Sequence, residues 1–385
     1  MRSIADLIGS GEGRHFLEER GVFLDQHGFL DAMAPPARDD LHRAMGLGES
    51  VRTTYVGQQI QCDYAWSVTA KFRMLRDLAA DATDVVPLSL PLDMDRAGSS
   101  KWSTTLTWPS DLEPLTARLI PHRLSEVEAR FAPVDESRLH EVGETVGTWV
   151  SSWASAGRAD EDLQARYGRF AAALADAGPR TLAEVNLDLT SWLLREGLDF
   201  EPRTMAVSEL AVGGLLQDQL GRVVANIDDV VTVFNEAVDE LVTADIDPQV
   251  RPRAPDYLPL RYSCPQDGKR RALVRERRGA DDFAVANCSD CGTEYRFHLG
   301  SGDSSIDDVV ATDRWSTDVT LPMYVNDLVS GVVAGQSTAL YGLVLNQVIA
   351  KVLGGSPVPV LVPRDVGEAP DGAVDSLFFA CMTAA

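Results

Sequence analysis

Residues 51–95 decide the fold of this chain, and they read VRTTYVGQQIQCDYAWSVTAKFRMLRDLAADATDVVPLSLPLDMD. A β-branched and aromatic block comes first and ends at Gly57. Apolar residues then recur at helical spacing as far as Leu78. A second apolar block follows, and it ends in Asp93 and Asp95. This order predicts a strand, a glycine turn, a helix and a second strand, which form one βαβ unit of a parallel sheet.

A second unit of the same kind is predicted near the end of the chain. Residues 332–335 form a short apolar block, a helical pattern runs on to Leu353, and residues 357–362 form another apolar block. With such a unit at each end and none between, we predict an α/β fold whose Rossmann-like parallel sheet is built from both ends of the chain. The predicted segments are a first part of the core at 1–134, a helical insertion at 135–245, a linker and zinc ribbon at 246–304, and a second part of the core at 305–385.

Composition and charge exclude several functions. The chain has 385 residues and a formal net charge of -23 at pH 7. Such a charge argues against nonspecific binding to nucleic acid, which needs a basic surface. The sequence has no run near the roughly 20 apolar residues of a membrane helix, and its first residues lack the pattern of a signal peptide. We therefore expect a cytoplasmic protein without a membrane partner.

Two segments that combine cysteine with glycine predict a zinc ribbon. They read CPQDG at residues 264–268 and CSDCG at residues 288–292. A structural zinc site takes four protein ligands in tetrahedral geometry. The candidate ligands are Cys264, Cys288 and Cys291, with either Asp267 or His298 as the fourth. The alternative is a ribbon that has lost its metal and keeps three buried thiols.

Polar and glycine residues follow both predicted core strands. In a parallel sheet, ligands bind at the carboxyl ends of the strands. We expect the two glycine turns to face each other across one cleft and to bind an anion or a polar ligand through backbone N–H groups. The candidate binding residues are Gly57, Gln58, Gln59, Asn326, Gly335, Gln336, Ser337, Thr338 and Tyr341. The alternative at the second turn is a plain tight turn in which Ser337 or Thr338 caps the helix.

Four ordered segments resemble the bacillithiol-biosynthesis cysteine-adding enzyme family, the cysteine ligases. The segments are residues 56–59, residues 85–95, residues 258–261 with 267–270, and residues 326–328, 335–341 and 357–364. The resemblance implies a Rossmann-like core and an enzyme that joins an amino acid to the amine of a small molecule. Met94, Leu92 and Thr338 stand where the family has His, Glu and Glu. These departures imply a divergent member with a changed substrate, for which cysteine or another amino acid is the donor.

For such a ligase, the sequence offers acids and cations near the predicted cleft. Asp93, Asp95 or Asp327 would take the proton of the attacking amine. Lys71 or Lys101 would neutralise the developing anion. The alternative for Asp93 is a strand-end carboxylate that caps a turn. The expected cofactors are a structural zinc ion and ATP or another activated acyl donor.

The expected partners are an amine and an amino acid, with a homodimer as the candidate assembly. Aminoacyl-tRNA is an alternative donor, because the arginines at residues 270–271 and 275–278 form a basic patch. The alternative function is a non-catalytic zinc-ribbon scaffold with a degenerate Rossmann-like body, which binding of ATP or an amino acid would distinguish from a ligase. A dinucleotide enzyme is disfavoured because no Gly-x-Gly-x-x-Gly follows the first strand.

Overall fold

The computed structural model describes residues 1–48, 51–110, 113–158, 160–175, 180–300, 305–318, 328–364 and 375–383. Its strands are β1 (Val22–Phe23), β2 (Arg52–Gln59), β3 (Val85–Leu92), β4 (Thr105–Trp108), β5 (Leu115–Arg118), β6 (Pro133–Val134), β7 (Arg180–Thr181), β8 (Arg203–Thr204), β9 (Tyr257–Ser263), β10 (Arg270–Arg278), β11 (Asp281–Asn287), β12 (Glu294–Gly300), β13 (Trp315–Thr317), β14 (Gly331–Val333) and β15 (Val360–Leu361). Its α-helices are α1 (Ile4–Gly9), α2 (Gly11–Glu18), α3 (Gln26–Ala32), α4 (Asp40–Ala44), α5 (Trp66–Asp81), α6 (Glu136–Ser155), α7 (Leu163–Leu174), α8 (Leu182–Leu198), α9 (Val207–Val212), α10 (Gln217–Ala225), α11 (Ile227–Thr243), α12 (Asp307–Val310), α13 (Gln336–Val348) and α14 (Leu377–Thr383). Three 3-10 turns lie at Lys101–Ser103, His122–Leu124 and Ala129–Phe131, and a π-helical turn at Ile349–Leu353 continues α13.

The fold is mixed α/β around a parallel sheet. Within the described residues this sheet has six strands in the order β1-β15-β14-β2-β3-β8. Each neighbouring pair is parallel. Strands from the beginning and from the end of the chain therefore lie side by side, and the edge strand β8 comes from the helical region between them.

The direction in which the sheet grows reverses between β2 and β14. From β2 the chain passes through α5 to β3 on one side, whereas from β14 it passes through α13 to β15 on the other. Such a topological switch point leaves a crevice outside the carboxyl ends of the two central strands. In this fold that position is the space beyond the carboxyl ends of β2 and β14, and we call it the switch-point crevice.

The sheet separates two hydrophobic cores. Tyr55 belongs to the core that contains α11 and α13, whereas its neighbour Val56 belongs to the core that contains α5 and α8. Val332 and Val333 divide between the two cores in the same way. The cause is the two-residue period of a strand, which points successive side chains to opposite faces.

The first glycine segment differs from its prediction. Gly57 does not end the strand, because β2 continues to Gln59 and its last three residues pair with residues 90–92 of β3. Helix α5 begins only at Trp66. Continued pairing with a long neighbouring strand outweighs the weakening that glycine brings to a strand.

Helices α6, α7 and α8 of the middle region pack on the α5 side of the sheet, whereas α9, α10 and α11 pack in the core that contains α13. Trp192 of α8 lies between Phe170 of α7 and Phe378 of α14, with ring centroids 5.4 and 6.1 Å away. Trp192, Phe170 and Phe378 are therefore core residues. No helix in the described part of the chain is both long and apolar enough to span a membrane.

A second sheet is antiparallel and has the order β12-β11-β10-β9-β13. Its two hairpins carry the cysteine segments. Leu258, Leu260 and Tyr262 of β9 belong to the same core as α11 and α13. The antiparallel sheet thus shares a core with the parallel sheet rather than standing apart from it.

Candidate functional site

Three predicted residues meet at the switch-point crevice. Lys71, on the second turn of α5, donates a hydrogen bond from Nζ to Oε1 of Gln58 at the end of β2. A Cβ atom placed on Gly335 would lie 3.8 Å from Cδ of Lys71. Lys71 thus lies close to the carboxyl ends of both β2 and β14. Gln58 and Gly335 are partly exposed.

The environment of Lys71 is unusual for a cation. The residue is 6% exposed, and within the described residues no carboxylate lies within ion-pair distance of it. Burial lowers the pKa of its ammonium to about 8. A buried charge normally requires a charged partner, and perturbed groups of this kind cluster at functional sites.

The two helix N-termini near the crevice differ. Helix α13 has Gly335 as its N-cap, and no described side chain caps it. Helix α5 is closed by protein, because its first N–H group, on Trp66, donates to Oδ1 of Asp375 at 2.6 Å. Of the two predicted anion-binding helix ends, that of α13 is the one that no side chain in the described part of the chain caps.

Asp375 is held in place by a second carboxylate that sequence reasoning missed. Asp63 is fully buried and accepts hydrogen bonds from the N–H of Phe378 at 2.9 Å and from Oγ of Ser376 at 2.7 Å. Burial raises the pKa of Asp63 to about 7. Asp63 therefore anchors the C-terminal segment on the loop before α5, a pairing over about 300 residues that no local pattern indicates.

Asp93 has a structural environment. It is 3% exposed, and its Oδ1 accepts from the N–H of Ser208 at 2.9 Å while its Oδ2 accepts from the hydroxyl of the same residue. Burial raises the pKa of Asp93. The side chain thus caps α9, a helix more than 100 residues further along the chain, rather than a turn at the end of its own strand.

Asp95 is also occupied by protein partners. Its Oδ2 accepts from Nε2 of Gln59 at 2.5 Å, and its Oδ1 pairs with Nη1 of Arg270 at 3.0 Å. The structure therefore joins the predicted residues Gln59 and Asp95 to each other, and both to the antiparallel sheet.

The remaining predicted residues lie outside this cluster. Lys101 is exposed, with its ammonium 4.3 Å from the ring centroid of Trp102. Tyr341 accepts a hydrogen bond from Nη2 of Arg253 at 3.3 Å. Gln336, Ser337 and Thr338 form the first turn of α13, where the last two are exposed. Asn326 and Asp327 lie outside the described residues.

The two cysteine segments form a candidate metal centre. The Sγ atoms of Cys264, Cys288 and Cys291 all lie within 4.8 Å of one another. Cys264 and Cys291, from opposite segments, are 3.7 Å apart at sulfur. Three thiols at this spacing could bind a metal ion.

The backbones of the two segments have the same geometry. In residues 264–269 the carbonyl of Cys264 accepts from the N–H of Gly268 at 2.8 Å, and its own N–H donates to Lys269 at 3.0 Å. In residues 288–293 the corresponding bonds of Cys288 are also 2.8 and 3.0 Å. The glycines have φ of 69° and 74°, a left-handed conformation that favours glycine. We call these two segments the knuckles.

The knuckle geometry distinguishes the two candidate fourth ligands. Asp267 has the position in its knuckle that Cys291 has in the other, and its Oδ2 lies 3.3 Å from Sγ of Cys288. His298 instead pairs with Asp281 at 3.3 Å and lies opposite Phe283 in the β11–β12 ladder. The ladder carries His298 away from the knuckles, so the interpretation of this residue as a ligand is not supported.

The predicted basic patch is neutralised. Arg275 and Arg277 both pair with Asp228 and Asp282. Arg278 pairs with Glu276. Because each charge has a carboxylate beside it, this surface lacks the excess of positive charge that nucleic acid needs.

No model of a known protein family matches this chain. A search of curated protein sequences also found no match. A functional proposal therefore depends on the geometry of the crevice and the knuckles, and on the resemblance of the sequence segments.

Proposed function

We propose that this chain is an enzyme that forms an amide C–N bond between an amino acid and the amine of a small molecule, with the reaction in the switch-point crevice. The observation that carries the proposal is Lys71, a buried cation whose described partner is a neutral amide. A parallel α/β sheet binds its ligands at such a crevice. The Rossmann-like character of the sheet and the resemblance to cysteine ligases support the same conclusion.

The proposed reaction uses both protonation states of Lys71. The amine nitrogen attacks the acyl carbon of an amino acid activated as an adenylate or acyl phosphate. The C–N bond forms, the bond to the phosphate-containing leaving group breaks, and the amine loses one proton. Neutral Lys71 accepts the proton of the attacking amine, and the ammonium that this forms attracts the anionic leaving group. A lysine pKa of about 8 leaves both forms populated near neutral pH.

The other parts of the crevice have simpler roles in this proposal. Gln58 orients the ammonium of Lys71 through its amide oxygen. The open N-terminus of α13 offers N–H groups and a positive dipole end to phosphate or carboxylate. Gly335 leaves room for the ligand to approach this helix end, since a side chain there would project toward Lys71. The neutralised arginine patch favours a small activated donor over aminoacyl-tRNA.

The ribbon is proposed to hold one structural zinc ion through Cys264, Cys288, Cys291 and Asp267. Thiolates and a carboxylate are ligands that zinc accepts, and four protein ligands would leave no open position for catalysis. Matching knuckles from two hairpins support this donor set. The zinc would join the two hairpins.

A binding measurement tests the proposed ligase. We expect calorimetric titration to detect ATP or an amino acid binding to the purified chain, and Lys71→Met to reduce affinity at least tenfold. Lys351→Met is the matched control, because Lys351 is exposed in the π-helical turn that follows α13. A chain that binds neither ATP nor any amino acid would favour the non-catalytic zinc-ribbon scaffold. The observation that supports this alternative is that Asp93 and Asp95 both bond to other protein groups.

A further inference from the structure

The three cysteines of the knuckles differ in their access to solvent. Cys264 and Cys288 are 0% and 1% exposed, whereas Cys291 is partly exposed. The residues on either side of it, Asp290 and Gly292, are both exposed. Since access controls the reactivity of a thiol as much as its chemistry does, a small solute in water reaches Cys291 before the other two cysteines.

A buried thiol lies directly beside Cys291. Sγ of Cys264 is 3.7 Å from Sγ of Cys291. The first residue lies in the turn between β9 and β10, and the second lies in the turn between β11 and β12. An S–S bond is roughly 2 Å long, so a small approach of the two side chains is enough to form a bond between the hairpins.

The sulfur of the third cysteine has charged neighbours. Sγ of Cys288 lies 3.3 Å from Oδ2 of Asp267 and 3.9 Å from Nη2 of Arg271. These contacts hold the sulfur of Cys288 toward a carboxylate and a guanidinium, whereas the sulfur of Cys264 contacts that of Cys291. Cys264 is therefore the better placed partner for an oxidised Cys291.

We propose that Cys291 is a modification site for hydroperoxides, of which hydrogen peroxide is the simplest, and that Cys264 converts the oxidised Cys291 into a disulfide that replaces the proposed zinc ion. This inference rests on the zinc site proposed for the knuckles. It gives the ribbon a redox function in addition to a structural one.

The proposed chemistry has two steps. The thiolate of Cys291 attacks one oxygen of hydrogen peroxide, the O–O bond breaks, and the hydroxide that leaves takes a proton from solvent to form water. The thiolate of Cys264 then attacks the sulfur of the sulfenic acid on Cys291. The S–S bond forms, the S–O bond breaks, and a second hydroxide leaves and is protonated to water. Two thiolates are thereby oxidised to one disulfide, and one peroxide is reduced to water.

The disulfide would exchange one connection between the hairpins for another. It removes Cys264 and Cys291 from the proposed zinc ligands, and the two ligands that remain are too few for a structural zinc site. The bond joins residues 27 positions apart and links the same two hairpins that the zinc ion would link. The ribbon thus stays closed in both states, and the states differ in whether zinc is bound or released.

Treatment of the full, metal-containing chain with hydrogen peroxide tests this inference. We expect a chromogenic chelator to detect the release of about one zinc per chain, and peptide mass mapping to find Cys264 bonded to Cys291. Cys62 and Cys381 should stay reduced, because both are buried and their thiols donate to backbone carbonyls. Dithiothreitol with added zinc should restore the bound metal, since a disulfide is reversible.

Two variants form a matched pair that identifies the partner of Cys291. Cys264→Ser and Cys288→Ser each remove one proposed zinc ligand, so a difference between them does not report loss of metal. With peroxide, Cys288→Ser should still form the disulfide between Cys264 and Cys291. Cys264→Ser should instead accumulate sulfenic acid at Cys291, trapped with dimedone in roughly tenfold higher yield than in wild type.

The outcomes distinguish this inference from the zinc proposal. A purified wild-type chain that contains no zinc before treatment would overturn the zinc site and this inference with it. A chain that holds zinc and keeps both its metal and a reduced Cys291 in peroxide would overturn this inference alone. A disulfide between Cys288 and Cys291, or a sulfonic acid at Cys291 without any disulfide, would overturn the role of Cys264.

Discussion

The ribbon and the carboxyl edge of the parallel sheet each contain a pair of similar glycine-bearing segments, and the pairs differ in outcome. The two knuckles have the same hydrogen bonds and nearly the same glycine φ. The other pair has no such symmetry: Gly57 lies inside β2, whereas Gly335 is the N-cap of α13. Similar sequence therefore produced similar geometry in only one of the two regions.

The difference lies in where the hydrogen-bond partners come from. A knuckle closes on itself, because its first residue bonds to residues four and five positions later. The segments after β2 and β14 depend on distant partners. Strand β3 continues to pair with Gly57, and Asp375 occupies the N-terminus of α5. Local bonds make a sequence pattern reliable, and distant partners can override it.

The largest effect is expected from a substitution that removes a cysteine from one knuckle and leaves the other knuckle unchanged. Cys288→Ser removes one proposed zinc ligand, and structural zinc contributes on the order of 10 kcal/mol to small domains. We expect metal analysis to find about one zinc per wild-type chain and much less in the variant. The midpoint temperature of thermal unfolding should fall for the antiparallel and parallel sheets together, because β9 shares its core with α11 and α13.

Two further variants are the controls for the fourth ligand. Asp267→Ala should lose zinc, whereas His298→Ala should retain it, since His298 pairs with Asp281 away from the thiols. A wild-type chain that folds well without metal would contradict the zinc proposal. Zinc loss in His298→Ala alone would reverse the ligand assignment.

The next largest effect is expected at Lys71, the buried cation near the carboxyl ends of β2 and β14. Burial shifts the pKa of Lys71 from 10.5 to about 8, a cost of about 3 kcal/mol while the ammonium is charged. Lys71→Met should therefore raise the free energy of unfolding by up to about 3 kcal/mol at pH 7. The same variant should lose ligand binding.

The pH dependence has a definite sign. Between the folded pKa of about 8 and the unfolded value of 10.5 the unfolded chain binds more protons, so wild-type stability rises with pH in this window. The advantage of Lys71→Met should be complete below pH 8 and fade toward pH 10.5. Denaturant unfolding at both ends of the window measures it. Equal stability of both proteins at pH 7 would mean that the ammonium has an anionic partner in the fold.

A smaller effect separates the two glycines. A Cβ atom on Gly335 has ordinary contact with Lys71 at 3.8 Å, whereas one on Gly57 would lie 3.1 Å from Cε2 of buried Tyr55. Gly57→Ala should cost about 1–2 kcal/mol in the free energy of unfolding through overpacking. Gly335→Ala should be close to neutral, and Gly335→Val should abolish ligand binding with the fold kept. Unfolding curves and titrations of the three variants check this, and equal stability losses for the two alanine variants would contradict it.

The smallest effect is expected at the closed helix end. Asp375 is exposed and accepts from the N–H of Trp66, and a carboxylate at such a position contributes about 0.5–1 kcal/mol. Asp375→Asn should lower the free energy of unfolding by about this amount without changing ligand affinity. Asp313→Asn is the charge control, because Asp313 is exposed and pairs only loosely with Arg314 at 3.7 Å. A large loss of affinity in Asp375→Asn would place the ligand at α5 instead of α13.

The sequence predicted several residues near the crevice, but it did not predict the contacts that their side chains make. Lys71, Gln58 and Gly335 were all candidates, because glycine, amide and cation near the ends of predicted strands have a recognisable chemistry. The pattern could not reveal that Asp93 caps α9 or that Asp95 pairs with Arg270. Both partners lie more than 100 residues away along the chain.

The sequence by itself determined the elements whose cause is local. Apolar period and length specified β2, α5 and β3 as a parallel unit, and cysteine with glycine specified the knuckles. The tertiary structure decided which of the similar parts are available for function. Desolvation of Lys71, closure of α5 by Asp375 and the position of Arg270 beside Asp95 arise only when distant segments pack together. Electrostatic environment depends on burial and on every neighbour, and neither is a property of a residue or its sequence context.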